Sequence, residues 1–268
     1  MSERALSPPA AEAYRLRPLD AVRAIRELLR NPEDTAKVFV IVRALSGKSL
    51  LRGYNRFAAT PTGRDVLASK RSLMDVLSDT DHLASLPAGS LGRVYLDFMK
   101  TENLTATGLA EASTSGELPP EPGLRLYAAR LRDMHDLWHV ATGYGRDTMG
   151  EVCLLGFTFG QTRNPGIAFI AVIGALKIAR EHDRRILRAL WAGFRAGRRA
   201  AWLPAADWEH LLALPLDAVR QRLGIEPPRA YPEMRGGRWI RHNRAPSQRG
   251  RSIRAAASNY ARSTNRGM

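Results

Sequence analysis

The sequence predicts an all-α fold: a single helical domain with a metal site between two consecutive helices, followed by a disordered basic C-terminal tail. Three observations carry that expectation. Apolar residues recur at three- and four-residue steps, as Val22, Ile25 and Leu29 do, and again Val38, Ile41 and Leu45. A helix-start signal is written twice, at Asn31-Pro32 and Asn164-Pro165, where an N-cap side chain precedes a proline whose missing amide is not needed. No run of five or more residues alternates cleanly between apolar and polar with β-branched side chains, which argues against a substantial sheet.

Two amphipathic helices therefore come first, through 22–29 and 38–45. The same periodicity predicts helices over 66–77, 90–100, 124–142, 146–162, 184–202 and 205–223. The most apolar stretch, GIAFIAVIGALKIA at 166–179, has 14 residues and a lysine inside it. A membrane span needs about 20, so this stretch reads as a buried core helix. Residues 101–123 are small, polar and proline-punctuated, and read as a mobile loop or lid. The domain is expected over 18–228, with a flexible arm at 1–17 and an arginine-rich tail at 229–268.

Composition narrows the partners. The 41 basic side chains, 36 of them Arg, face 26 acidic ones, a balance of +15. Residues 225–268 alone hold 10 Arg and 2 Glu, so +8 of that balance lies there and +7 in the remainder. Such charge suits nucleic acid, an anionic membrane or an acidic substrate. No zinc-finger, RNA-recognition or basic-zipper pattern accompanies it, which disfavours nucleic acid. One cysteine, Cys153, rules out a disulfide framework and a thiolate-rich zinc site. The opening MSERALSPPAAEAYRLRP lacks the apolar stretch of a secretory signal and carries Glu3 and Glu12. With the arginine bias, this leads to an expected place in a bacterial cytoplasm, peripheral on the inner face of the cytoplasmic membrane.

One block concentrates the chemistry: Met134-His135-Asp136-Leu137-Trp138-His139, then Gly143, Gly150 and Glu151. His135 and His139 are one helical turn apart, about 40° in projection, and Asp136 lies about 60° from His139. After the glycine turn a following antiparallel helix would return Glu151 beside the histidines. Neutral imidazole and carboxylate are donors that borderline divalent ions accept, zinc first, with Fe, Mn, Co or Mg also compatible. The two-histidine spacing also occurs in H-E-x-x-H zinc proteases, but Asp136 stands where their general-base Glu would be, so proteolysis is not implied. Histidines serving only as core or surface residues remain the alternative at this level.

The block HDLWHVATGYGRDTMGE has the form H-D-x-x-H-x(11)-E and resembles the signature of the coenzyme Q (ubiquinone) biosynthesis protein 4 family. LPAGSLGRVYLDFM at 86–99 and AGRRAAWLPAADWEHLLALPLDAVRQRLGIEPP at 196–228 resemble flanking parts of it. The resemblance implies a helical fold, a metal held by His135, Asp136, His139 and Glu151, and an apolar cavity for a polyprenyl tail. It further implies oxidative decarboxylation of a polyprenylated 4-hydroxybenzoate-derived ring, the carboxyl at ring carbon 1 being replaced by hydroxyl. The alternative is a non-catalytic lipid-binding scaffold that organises the biosynthetic complex. Expected partners are the quinone precursor, other ubiquinone biosynthesis proteins, an anionic membrane surface and a second copy of this chain.

Two further features belong with that expectation. Phe157, Phe159, Ile167, Phe169, Ile170, Ile173 and Leu176 are candidates for the apolar wall, with core packing as the alternative for each. Gly156, Gly160, Gly166 and Gly174 would either let helices approach closely or leave a groove. Over 183–202, Arg184, Arg188, Arg195 and Arg199 fall within about 60° of one another, with Ile186, Leu187, Leu190 and Phe194 on a separate face. That is a basic amphipathic helix, suited to an anionic membrane or to a solvated arginine face.

Overall fold

The computed structural model describes residues 15–31, 34–107, 121–228 and 231. Among them the secondary structure is helical, with one isolated bridge between Ser90 and Pro215 and no strand. The tail apart from Tyr231, the N-terminal arm up to residue 14 and most of the 101–123 segment lie outside the described residues.

The first helices are α1 (Pro18–Arg30), α2 (Thr35–Ser46), α3 (Ser49–Ala58), α4 (Pro61–Ser69), α5 (Leu73–Ser78), α6 (Thr80–Ser85) and α7 (Leu91–Thr101). The second half comprises α8 (Pro122–Thr142), α9 (Thr148–Thr162), α10 (Pro165–Glu181) and α11 (Arg185–Arg199). A 3₁₀ turn at Leu203–Ala205 then leads to α12 (Trp208–Leu211) and α13 (Leu216–Leu223).

Local chemistry sets the boundaries. Thr60, Asp79, Ser90, Glu121, Asp147 and Asn164 each accept backbone amides at the starts of α4, α6, α7, α8, α9 and α10. Asn164-Pro165 opens α10 as its sequence predicts. Asn31 does the opposite of its expected role: it closes α1, its amide on Glu27 O, and α2 starts only after Asp34. The helix expected over 66–77 is two, because Lys70 takes a left-handed conformation between α4 and α5. The one expected over 205–223 is broken: Asp207 and Pro215 sit at the N-caps of separate short helices. Helices α3 and α6 are not among the expected ones: Leu50, Tyr54 and Phe57 recur at helical steps along α3, whereas the six residues of α6 are too few to show a period.

Two apolar clusters organise the first half. Ala21, Ala24 and Ile25 of α1 meet Ile41 and Ala44 of α2 and Ile170 of α10. Phe57 and Val66 meet Leu124 and Tyr127, which fastens α3 and α4 to the start of α8. Helix α10 is thus half core and half surface: Ile170, Ala171, Ala175 and Ile178 are buried, while Val172 and Leu176 are exposed. This corrects the reading of a fully buried helix, since a single helix presents only one face to α1 and α2.

Helices α9 and α11 approach backbone to backbone through paired glycines. A methyl group built at Gly156 would lie 2.7 Å from Leu190 O, one at Gly160 2.7 Å from Phe194 O and one at Gly193 2.5 Å from Cys153 O. At Gly197 it would collide with Phe157 O. Gly156 and Gly160 therefore serve close approach, with Gly193 and Gly197 as unanticipated partners. The buried Gln161 locks the far end, donating to Gly197 O and Ala201 O and accepting from Leu203 N. Buried Arg130 on α8 forms a two-pronged pair with Glu209 of α12, both contacts at 2.7 Å.

Gly197→Ala should therefore destabilise the fold by about 1–3 kcal/mol, the cost of overpacking a tight interface. Equilibrium denaturation is the check, and an unchanged midpoint would mean that the two backbones can separate freely.

Candidate metal centre

The last two turns of α8 carry His135, Asp136 and His139, and the first turn of α9 carries Glu151. Five residues join the helices. Gly143 ends α8 in a left-handed conformation (φ 78°), where a side chain would be strained. Asp147 then caps α9 by accepting from Gly150 N at 3.1 Å. Arg220 of α13 covers the end of α8, donating to Ala141 O at 2.9 Å and Val140 O at 3.2 Å. These carbonyls belong to the group that a helix leaves without internal partners.

This turn also orients a ligand. His139 Nδ1 lies 2.9 Å from Tyr144 O, and since a carbonyl only accepts, Nδ1 carries the proton. The lone pair is then on Nε2, which is buried without a hydrogen-bond partner and stands 3.4 Å from Glu151 Oε1. Such a buried, unsatisfied acceptor costs free energy unless something occupies it. His135 Nε2 is 3.8 Å from Glu151 Oε2, and His135 Nδ1 is 3.2 Å from Asp136 Oδ1. One ligand atom from each of His135, Asp136 and His139 lies within 4.8 Å of the others. The fold thus brings all four expected residues together, and a buried lone pair facing carboxylates fits a divalent ion.

The electrostatics follow from the pairing. Burial disfavours a charged His135, but the Asp136 hydrogen bond and the charges of Glu151 and Asp136 outweigh it and raise its pKa. Burial likewise opposes ionisation of Asp136 and Glu151. The Asp136 bond to His135, the closeness of Glu151 to the two imidazoles and the charge of Arg146 overcome this and hold both carboxyls below their usual range. Cys153, on the same helix as Glu151, is buried, and desolvation pushes its thiol up to about 12. It is neither an available ligand nor a thiolate nucleophile.

Several neighbours were not evident from spacing. The Phe98 ring of α7 stacks on His139, centroids 5.9 Å apart and planes 23° apart. Arg146 Nε is 3.6 Å from Glu151 Oε1, with its side chain 34% exposed. Tyr231 donates to Asp147, accepts from Gly145 N at 3.0 Å and packs edge-on against Tyr144. Phe98 and Arg146 lie within the two sequence blocks singled out above, but nothing in a spacing pattern reports a ring stack or a loop cation. The expected apolar wall does not gather here. Phe157 is buried against Trp138, Ile170 sits in the α1–α2 cluster with Phe169 and Ile173 packed on it, and Leu176 is exposed. Phe159 lines an open groove of about 220 Å³ between α9, α10 and α11.

The comparisons agree with this architecture. The family model described as coenzyme Q (ubiquinone) biosynthesis protein Coq4 matches residues 16–229. A relative named ubiquinone biosynthesis protein COQ4 homolog, mitochondrial, from Danio rerio is 28% identical over 202 residues, 75% of this chain and 73% of that protein. A protein from Sclerotinia sclerotiorum named ubiquinone biosynthesis protein coq4, mitochondrial, is 30% identical over 179 residues, 66% of this chain. The chain spans 61% of that fungal relative's length. A crystal structure of a Nostoc punctiforme protein named for ubiquinone biosynthesis superposes with a TM-score of 0.59 at 22% identity. It covers 78% of this chain and 99% of the other. At that identity the likeness speaks for the fold.

An ion taken up by this donor set must displace the proton on His135, whose pKa is raised, whereas Asp136 and Glu151 are already ionised. Affinity should therefore rise by up to about tenfold per unit as the pH climbs toward the His135 pKa and level off above it, where His135 is already deprotonated. Zinc titration against a chromophoric chelator at pH 6 and pH 8 measures this. A flat profile would remove His135 from the donor set.

Proposed function

The chain belongs to the coenzyme Q (ubiquinone) biosynthesis protein Coq4 family, and from that membership and the α8–α9 geometry we propose that it is a metal-dependent oxidative decarboxylase of ubiquinone biosynthesis. Its substrate is a polyprenylated 4-hydroxybenzoate-derived ring. The bond between ring carbon 1 and the carboxyl carbon breaks, carbon dioxide leaves, and a hydroxyl takes its place. The ring loses two electrons in the exchange, which dioxygen takes up. The observation that carries this reading is the buried, unpartnered Nε2 of His139, aimed at Glu151 beside His135 and Asp136.

His135, Asp136, His139 and Glu151 would hold the ion, and the mixed nitrogen and oxygen set suits zinc, iron, manganese or cobalt. Bound there, an ion would supply Lewis acidity toward the negative charge that builds on an electron-rich ring as carbon dioxide departs. The protein groups around it have separate tasks. The Tyr144 carbonyl keeps the proton of His139 on Nδ1, so the lone pair of Nε2 stays available to an ion. Asp136 orients the His135 ring through Nδ1. Arg146 puts a guanidinium beside Glu151 at the solvent edge, where it can receive the substrate carboxylate by paired hydrogen bonds before the bond breaks. Phe98 covers one face of His139 and keeps water from that side.

The test is complementation. A strain lacking the native activity is supplied with wild type, His139→Ala or the near-isosteric Glu151→Gln, and quinone intermediates are resolved by mass spectrometry with protein levels matched. Both variants should accumulate the carboxylated precursor and lower ubiquinone at least about a hundredfold, as loss of a positioned catalytic group does. Full ubiquinone with either variant would leave the scaffold role as the better account.

A further inference from the structure

The large apolar side chains exposed among the described residues are not scattered. They are Leu16, Leu19, Val22 and Leu29 at α1, Val172 and Leu176 on α10, and Leu187 and Trp191 on α11. Val172 of α10 and Leu187 and Trp191 of α11 line the open groove, whose walls include Phe159, Leu190 and Phe194. Trp191 is 59% exposed, an unusual position for the largest side chain when nothing covers it.

Charge along this apolar face is predominantly positive, the acidic Glu181 and Asp183 being confined to the turn between α10 and α11. Helix α11 holds five Arg and no acidic residue. Arg184, Leu187, Arg188, Trp191 and Arg195 follow one another at three- and four-residue steps, or side by side, and all five are exposed. The outward stripe therefore alternates guanidinium and apolar groups, and Leu187 lies in it rather than on the separate apolar face that its spacing predicts. Ile186 is the buried member of that face. Arg184, Arg188 and Arg195 have no carboxylate within ion-pair distance among the described residues. A second copy of the chain is a poor occupant, because a two-fold contact repeats the same patch on both sides and would set arginine against arginine. An anionic bilayer meets both halves of the pattern, with phosphates for the guanidiniums and an acyl boundary for the apolar groups.

We propose that the α10–α11 face docks on an anionic phospholipid surface. Trp191 and Leu187 enter the headgroup–acyl boundary, and Arg184, Arg188 and Arg195 bind lipid phosphates. The association is interfacial, since no helix among the described residues is long and apolar enough to cross a membrane. Along α9, Phe159 of the groove lies eight residues from Glu151, about 12 Å of helix. That short span gives the docking a consequence for substrate: a ring on a membrane-held prenyl chain would emerge near the candidate centre. This consequence rests on the function proposed above, whereas the docking does not.

The experiment uses the full chain with vesicles of phosphatidylcholine alone or mixed about three to one with phosphatidylglycerol. The arginine-rich C-terminal residues would bind anionic vesicles by charge, so sedimentation alone does not decide. The deciding readout is quenching of tryptophan fluorescence by lipids brominated on the acyl chains. We expect quenching with the anionic vesicles, its loss in Trp191→Phe and its persistence in Trp239→Phe. Replacing Arg188 and Arg195 together by Gln should weaken vesicle binding about tenfold or more. Quenching that survives Trp191→Phe would overturn the proposal. So would vesicle-free self-association, seen by sedimentation velocity, that Trp191→Asp abolishes, because the face would then belong to a second copy. None of these readouts needs bound metal or turnover, so failure here leaves the catalytic proposal standing, and the converse holds as well.

Discussion

The five-residue return between α8 and α9 is the constraint on which the candidate centre depends. Helix α8 must stop at Thr142, and Gly143 stops it because its left-handed conformation is available at little cost only to a residue without a Cβ. The chain then presents Tyr144 O to His139 and reaches the Asp147 cap, so Glu151 faces the two imidazoles. A longer connection would leave the carboxylate free to sample solvent. A different stop would remove the carbonyl that sets the tautomer of His139.

The rest of the molecule holds that return in place. From below, α11 grips α9 through interlocking glycine contacts at which backbones, rather than side chains, form the interface. From behind, Arg130 ties α8 to Glu209, and Arg220 closes the open carbonyls at the end of α8. Both arginines therefore serve the architecture. Removing Glu209 would leave the buried Arg130 charge without a carboxylate, whereas Glu209 keeps Arg71 as a second partner. Thus α9 carries a carboxylate at one end and a lipid-compatible groove near its middle, on a helix clamped along its length.

Basic charge in this chain has two kinds of address. Arg130 is buried and Arg220 half-buried, and each is bound to named acceptors within the fold, whereas the arginines of the α11 stripe face outward without carboxylates. Composition treats them alike. Only the fold separates arginines that hold helices together from those free to meet a partner.

The helical class, most of the long helices and the four clustered residues were legible in the sequence. Period, cap and turn are local properties, and His135, Asp136, His139 and Glu151 lie within a helix–turn–helix short enough for spacing to predict proximity. The sequence could also carry the family resemblance, because its motif is contiguous. What it could not carry were relations between distant segments. The stacking of Phe98 on His139, the partnership of Gly193 and Gly197 with α9, and the outward turn of Leu187 and Trp191 each depend on which helix packs where. The same limit explains the misplaced apolar wall: alternation shows that a residue belongs on an apolar face, but not which neighbour that face meets. Sequence determined the helices and the cluster of imidazoles and carboxylates, since both follow from local backbone preference and short spacing. Tertiary packing decided that the donors surround a buried, unsatisfied nitrogen and that the apolar wedge points outward.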